Sequence, residues 1–341
     1  MADKISKKKL IILSDLFNCI LMISIFFLWG YIDHSLLIYT GTFLTQIFGL
    51  MVFIAFESGK PELFQRNWLT SANSYSTLIN SLCKVLGPSI GGLIYSFTDM
   101  RMFILINGCS FFISMILELF LEFKKEIFSE ENINTNTNLK SSITFLLLNK
   151  DMKFIILIGI FFNLAYGVSL VISIPYLINN KFYLGGTAYG IIQGCLPIGM
   201  ILGSLLVKKY NVGLDLNIFK TIGITVSFSI FLYSLPLLFF FDKLYIIILY
   251  SFLMFLFGLI IPFFDIPIFT YLQQELPINI RGQILGLFIS CIKIIFPMAL
   301  LLSGAIIDNF SIKYNMLFGF FLFILFSLFV FKNGNRKFKV A

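Results

Sequence analysis

Ten times in 341 residues the chain runs for about twenty residues with almost only apolar side chains, the length an α-helix needs to cross the hydrocarbon core of a bilayer. The runs lie near Leu10–Gly30, Leu36–Phe56, Ser74–Tyr95, Met102–Leu121, Phe154–Leu177, Thr187–Val207, Ile218–Phe240, Leu244–Phe264, Gln283–Gly304 and Asn315–Phe331. Little polar chain is left between them to build a water-facing shell. Charged residues make up 12% of the whole, about half the ~25% of a soluble domain. The expected fold class is therefore all-α, a polytopic membrane protein of about ten transmembrane helices, with the lipid bilayer as its first partner. Lys7-Lys8-Lys9 ahead of an apolar stretch resembles a signal peptide, but that stretch is too long and no small-residue cleavage site follows. It is read as a retained span.

Net charge is +8, yet the basic residues are scattered through short loops instead of forming a patch, so nucleic acid is not an expected partner. Their distribution reports orientation. Nineteen lysines and arginines fall on the side of Met1, against Arg101, Lys181, Lys243 and Lys313 on the other. Cytoplasmic loops carry the excess, so the expectation is a multi-pass protein of the cell membrane with both termini cytoplasmic, read as a monomer.

One hydrophilic stretch interrupts the pattern, from Glu122 to Lys153, including a tract rich in asparagine and threonine unlike anything that packs. It divides the chain into an N-terminal bundle (1–121), a cytoplasmic linker (122–153) and a C-terminal six-helix bundle (154–341). The two bundles share a register. At an offset of 209 residues Gln65 matches Gln274, Ser81 matches Ser290, Lys84 matches Lys293, Pro88 matches Pro297 and Asp99 matches Asp308. The same offset maps the last four spans onto the four before the linker and leaves two spans without counterparts. The expectation is a 4 + 6 arrangement lacking the first two helices of a twelve-helix, two-half protein, with halves related by an axis along the membrane normal as in major facilitator transporters.

Three stretches resemble that superfamily, and within it bacterial drug and macrolide efflux permeases. Ala2-Asp3-Lys4-Ile5-Ser6-Lys7-Lys8-Lys9 resembles the tail of the family's basic loop motif, without its leading glycine and with Ser6 where glycine is usual. Gly87-Pro88-Ser89-Ile90-Gly91-Gly92 resembles the Gly-Pro-x-x-Gly-Gly segment associated with antiporters, and Gln274, Pro277, Arg281 and Gly282 resemble the stretch before helix eleven. The resemblance implies a truncated major-facilitator-like fold and a secondary active transporter. Such a protein would export small organic, drug- or macrolide-like compounds by alternating access, with the proton as coupling ion. It gives Asp3, Lys4, Lys7 and Lys8 a latching role on the cytoplasmic face, and Gly87, Pro88, Gly91 and Gly92 a role in helix packing and exchange. The alternative, motivated by the missing helices, is an inactive membrane remnant.

Candidate path residues follow from the cost of polarity in lipid. Lys84 and Lys293 lie about ten residues into their spans, where an ammonium facing lipid costs at least ~2.5–3.5 kcal/mol. They are expected to face a wet interior and attract an anionic group or answer a carboxylate. Gln46, Asn80, Asn163 and Gln193 are midspan groups able to hydrogen-bond a substrate or a facing helix. Asp15 is expected to pair with a lysine of the basic loop. Asp265, Glu57, Glu118 and Glu122 are expected at solvated span ends, leaving no deep carboxylate. Gly186, Gly190 and Gly194 leave one helix face bare, as for close packing. Five cysteines without CxxC spacing and a single histidine give no metal site, and no cofactor is implied. No HExxH, GxSxG or phosphate-loop motif occurs, so the chain is not read as an enzyme.

Overall fold

In the computed structural model, residues 6–123, 139–239 and 241–333 are described. They are helical almost throughout. The helices are α1 (Lys7–Leu28), α2 (His34–Leu63), α3 (Leu69–Phe97), α4 (Met100–Leu119), α5 (Leu139–Leu148), α6 (Lys150–Tyr166), α7 (Ser173–Tyr176), α8 (Gly185–Tyr210), α9 (Leu216–Ser234), α10 (Lys243–Glu275), α11 (Ile278–Asn309) and α12 (Ile312–Lys332). The α6–α7 rod is continuous from Lys150 to Lys181 through two π-helical turns, Gly167–Val171 and Leu177–Lys181.

Among the described residues nine helical rods are long and apolar enough to cross a membrane. A tenth, α3, has 29 residues, but its first half is crowded with Thr70, Ser71, Asn73, Ser74, Ser76, Thr77, Asn80 and Ser81. The 209-residue register survives in the fold. Lys7, His34 and Leu69 open α1, α2 and α3, and Leu216, Lys243 and Ile278 open α9, α10 and α11. The fourth pair slips by three residues. Asp99 caps α4, its carboxylate accepting from the Met102 N–H at 2.8 Å, whereas α12 starts after Ser311.

The chain falls into two compact units. The first comprises Met1–Leu69, Leu86–Thr144 and Leu276–Gly286; the second comprises Thr70–Val85, Phe145–Glu275 and Leu287–Ala341. In the first, α1 packs between α2 and α4 around Met22, Ile25, Leu37 and Ile104. Gly108 lets α4 approach the backbone of α1, since a Cβ there would meet Met22 Cβ at 3.0 Å. Trp29 stacks on His34, the first residue of α2, at 4.3 Å.

In the second unit α8 packs along α10, and α12 packs on α9 and α6. The α8–α10 seam is the tightest contact. A Cβ on Gly199 or Gly203 would collide with the carbonyls of Phe255 and Leu259, and one on Gly258 with the Leu196 carbonyl. The core is aromatic: Phe162 stacks on Phe264 at 4.0 Å and meets Phe323 and Phe326 edge-on. Tyr233 and Tyr250, both fully buried, each donate a hydroxyl to the other's carbonyl, at 3.4 and 2.8 Å. The first π-turn is held by Asn315 of α12, whose amide donates to Val168 O (2.9 Å), Ser173 Oγ (2.7 Å) and Ser303 Oγ (3.1 Å). A π-turn displaces backbone carbonyls from their usual donors, and this side chain supplies one.

Candidate functional site

Lys84 and Lys293 occupy equivalent places in α3 and α11, each fifteen residues beyond the first of its helix. That is about 22 Å along rods of roughly 43 and 48 Å, close to mid-length. Both side chains are exposed on their helices, and both belong to the second unit.

What Lys84 faces was not anticipated. Its ammonium lies close enough to Asp265 of α10 for the two charges to attract. The sequence pattern ends this span at Phe264 and leaves Asp265 at a solvated border; in the structure the helix runs on to Glu275, ten residues further, or about 15 Å. Asp265 is half-buried and sits between Pro262 and Pro267. Each proline lacks the N–H that would bond four residues back, so the carbonyls of Gly258 and Phe263 lose their intrahelical donors next to the carboxylate. Asp265 therefore lies within a helix, ten residues from its end, and not at the helix terminus that was expected.

Closer to the Glu275 end of α10, α3 is fastened by a buried polar cluster. Asn73 Nδ2 donates to Thr270 Oγ1 at 2.9 Å and to Gln273 Oε1 at 2.8 Å, and all three side chains are buried. Beside it Lys208 of α8 donates to the Tyr75 hydroxyl and lies 4.0 Å from the ring centroid. The polar half of α3 is thus used on protein. Serines and threonines of α3 return their hydroxyls to carbonyls four residues back, as Ser74 does to Thr70 and Ser81 to Thr77.

The other expected path residues divide. Asn80 is exposed on α3; Asn163 is half-buried and donates to its own helix at Gly159 O, 2.9 Å; Gln193 is half-buried on α8. These belong to the second unit, whereas Gln46, exposed on α2, belongs to the first.

Among the described residues nothing stands within 4 Å of a Cβ added at Gly87 or Gly91. The same holds for Gly186, Gly190 and Gly194. The close approaches expected of these stripes occur at Gly199, Gly203 and Gly258 instead. Pro88 is accommodated inside α3, and nothing is described of the surroundings of Gly92.

Asp3 and Lys4 lie outside the described residues. Lys7 pairs with Glu62 of α2, and Lys8 Nζ donates to the Leu119 carbonyl that ends α4, 2.7 Å away. Lys60, buried to 2% exposure, pairs with Glu57 at 2.6 Å. Among the described residues Asp15 does not meet a lysine. Its hydrogen-bond partners are Ser114 and Glu118 of α4, so two carboxylates adjoin within the first unit and Glu57 and Glu118 are not simply solvated. Arg281, 5% exposed, folds back to donate Nε and Nη2 to Leu276 O at 3.2 and 3.1 Å, which pins the α10–α11 connection. Among the described residues no cluster could hold a metal ion.

Nine long apolar helical rods among the described residues, with charged groups carried partway along some of them, define a polytopic helical membrane protein. The chain belongs to the Major Facilitator Superfamily, whose model matches residues 1–299. It is similar to the Staphyloferrin A transporter of Staphylococcus aureus (strain NCTC 8325 / PS 47), 27% identical over 180 residues, 52% of this chain and 43% of that protein. The match thus spans less than half the length of this curated relative. Among solved structures it resembles a bacterial homologue of the iron transporter ferroportin in an outward-facing state, with TM-score 0.69 and 14% identity over 98% of this chain and 85% of the other. The same homologue with soaked iron gives TM-score 0.69 and 13% identity over 97% and 83%. At this identity the likeness is one of fold.

Proposed function

We propose that the chain carries a small organic compound across the cell membrane by secondary active transport, and that Lys84 and Asp265 form its coupling pair. The supporting observation is their mutual attraction, Lys84 at mid-length of α3 and Asp265 about two-thirds of the way along α10. The half-buried Asp265 carboxylate gains most from this cation, since burial disfavours its charged form. A compound bearing an acidic group competes with Asp265 for Lys84, and the displaced carboxylate is relieved by taking a proton. A cationic compound instead competes with that proton for Asp265, which yields proton antiport. Lys293, with no carboxylate in hydrogen-bonding reach among the described residues, adds a second cation to the path. The two ends of the path open in alternation, with both termini on the cytoplasmic side. Asn80, Asn163 and Gln193, which belong to the same unit as the two lysines, offer the solute hydrogen-bonding groups.

Two solute classes follow. Export of drug- or macrolide-like compounds in exchange for protons is the reading the motif resemblance supports. The lysines favour a solute with acidic groups, and the similarity to a protein named for staphyloferrin A transport points the same way. Reconstitution in liposomes separates them: an imposed pH gradient, with a fluorescent cationic drug, a macrolide or staphyloferrin A offered in turn. Gradient-driven movement of one class, lost in Asp265→Asn and in Lys84→Ala, is expected. Coupling that survives Asp265→Asn unchanged refutes the pair. Movement of none of them, beyond empty liposomes, favours an inactive remnant.

A further inference from the structure

We propose that the seam between α9 and α12 is a binding site for an anionic phospholipid, with one acyl chain in the groove and the phosphate on Lys220. The seam holds a cavity of about 450 Å³, within the size of sites that take small ligands. Its walls are apolar: Ile224 and Phe228 from α9, Phe320, Ile324 and Phe331 from α12. Its floor is shallow because the two helices touch through small residues. A Cβ on Gly223 would collide with the Ser327 hydroxyl, Ser227 donates to Phe320 O at 3.0 Å, and Ser327 donates to Lys220 O at 3.2 Å. The floor's hydroxyls are therefore satisfied within the protein, and what faces outward is apolar. Ile224, Phe228 and Phe331 are 53%, 59% and 62% exposed, so a hydrocarbon chain is the natural cover.

One end of the groove is charged. Lys220 is the fifth residue of α9, about 6 Å from its start, and its ammonium lies 4.2 Å from the Phe331 ring centroid. Phe331 is followed by Lys332, the last residue of α12. Among the described residues no carboxylate is within salt-bridge reach of Lys220. The nearest acid in sequence, Asp215, turns back to accept from the Asn217 N–H at 2.9 Å and caps its own helix. An apolar slot ending in unpaired lysines at the helix ends matches a phospholipid in both parts: chain along the slot, phosphate at its basic mouth.

Native mass spectrometry of the full chain, released from vesicles that mix phosphatidylglycerol with phosphatidylcholine, tests this. Retained phosphatidylglycerol in preference to phosphatidylcholine is expected. Lys220→Gln should weaken its retention about fivefold, at roughly one phosphate–lysine contact, and Lys220→Arg should restore it. Ile224→Trp, which fills the groove and leaves the charge, should displace the lipid as well. Equal retention of both lipids, or retention indifferent to Lys220→Gln and Ile224→Trp, overturns the proposal. So does a dimer without bound lipid that Ile224→Trp dissociates, which would make a second copy of the chain the occupant.

Discussion

Asn73 offers the most quantitative test of how α3 is held. Its amide makes two hydrogen bonds to α10, at 2.9 and 2.8 Å, in a cluster with no access to water. A buried neutral hydrogen bond contributes about 0.5–1.5 kcal/mol net. Asn73→Ala therefore costs about 1–3 kcal/mol, a factor of roughly 5 to 150 in the equilibrium between the fastened and parted states of this contact. Amide hydrogen exchange over residues 69–77 and 268–275 reads that opening directly. Exchange there should quicken by about this factor while the α8–α10 seam near Gly199 keeps its protection. Gln273→Ala should act on the same segments, and the double variant should fall short of the sum of the singles by more than about 0.5 kcal/mol, beyond the usual error of additivity. Additive effects, or unchanged exchange in Asn73→Ala, would show that the cluster does not fasten α3 to α10. If alternating access parts this contact, the same variants also alter transport rate.

For the two charges, Lys84→Gln with Asp265→Asn together should leave more protein in the membrane than Lys84→Gln alone, because that single change leaves the Asp265 carboxylate without the cation that attracts it; quantitative immunoblotting of membranes measures it. Gly258→Ala drives a Cβ into the Leu196 carbonyl and should abolish a monodisperse peak in size-exclusion chromatography, while Gly87→Ala and Gly91→Ala, which meet open space, should elute normally. Asn315→Leu removes three hydrogen bonds that brace the π-turn. It should lower the detergent-solubilised melting temperature by several degrees, at about 1 kcal/mol or more; an unchanged melting curve would show the turn holds itself.

The spans were legible because lipid leaves few options. Backbone groups must be satisfied within the segment, so length and apolarity alone locate a helix, and a 209-residue offset noticed in five side chains recurs in the first residues of three helix pairs. Asp265 was less legible. Pro262 and Pro267 are ordinarily helix terminators, and a carboxylate next to them reads as a border until packing is seen to carry the helix through. Glycine spacing marks a bare stripe but not what lies opposite: Gly186, Gly190 and Gly194 meet nothing among the described residues, whereas Gly199, Gly203 and Gly258 carry the close approach. Nor could spacing say that Asp15 would find Glu118, 103 positions away, or that Asn73 would find Gln273. Partners chosen across helices depend on rotation about each axis, and polarity counts along one segment do not contain it.

The shared register of helix starts has a chemical consequence. Lys84 and Lys293 stand at the same register in α3 and α11, but the position that holds Asp265 in α10 is Phe56 in α2. The two stretches are thus matched in shape and lopsided in charge, with two cations to one anion at these positions. Under the proposed transport, the lysine without a counterpart carboxylate is the group a travelling anion would answer.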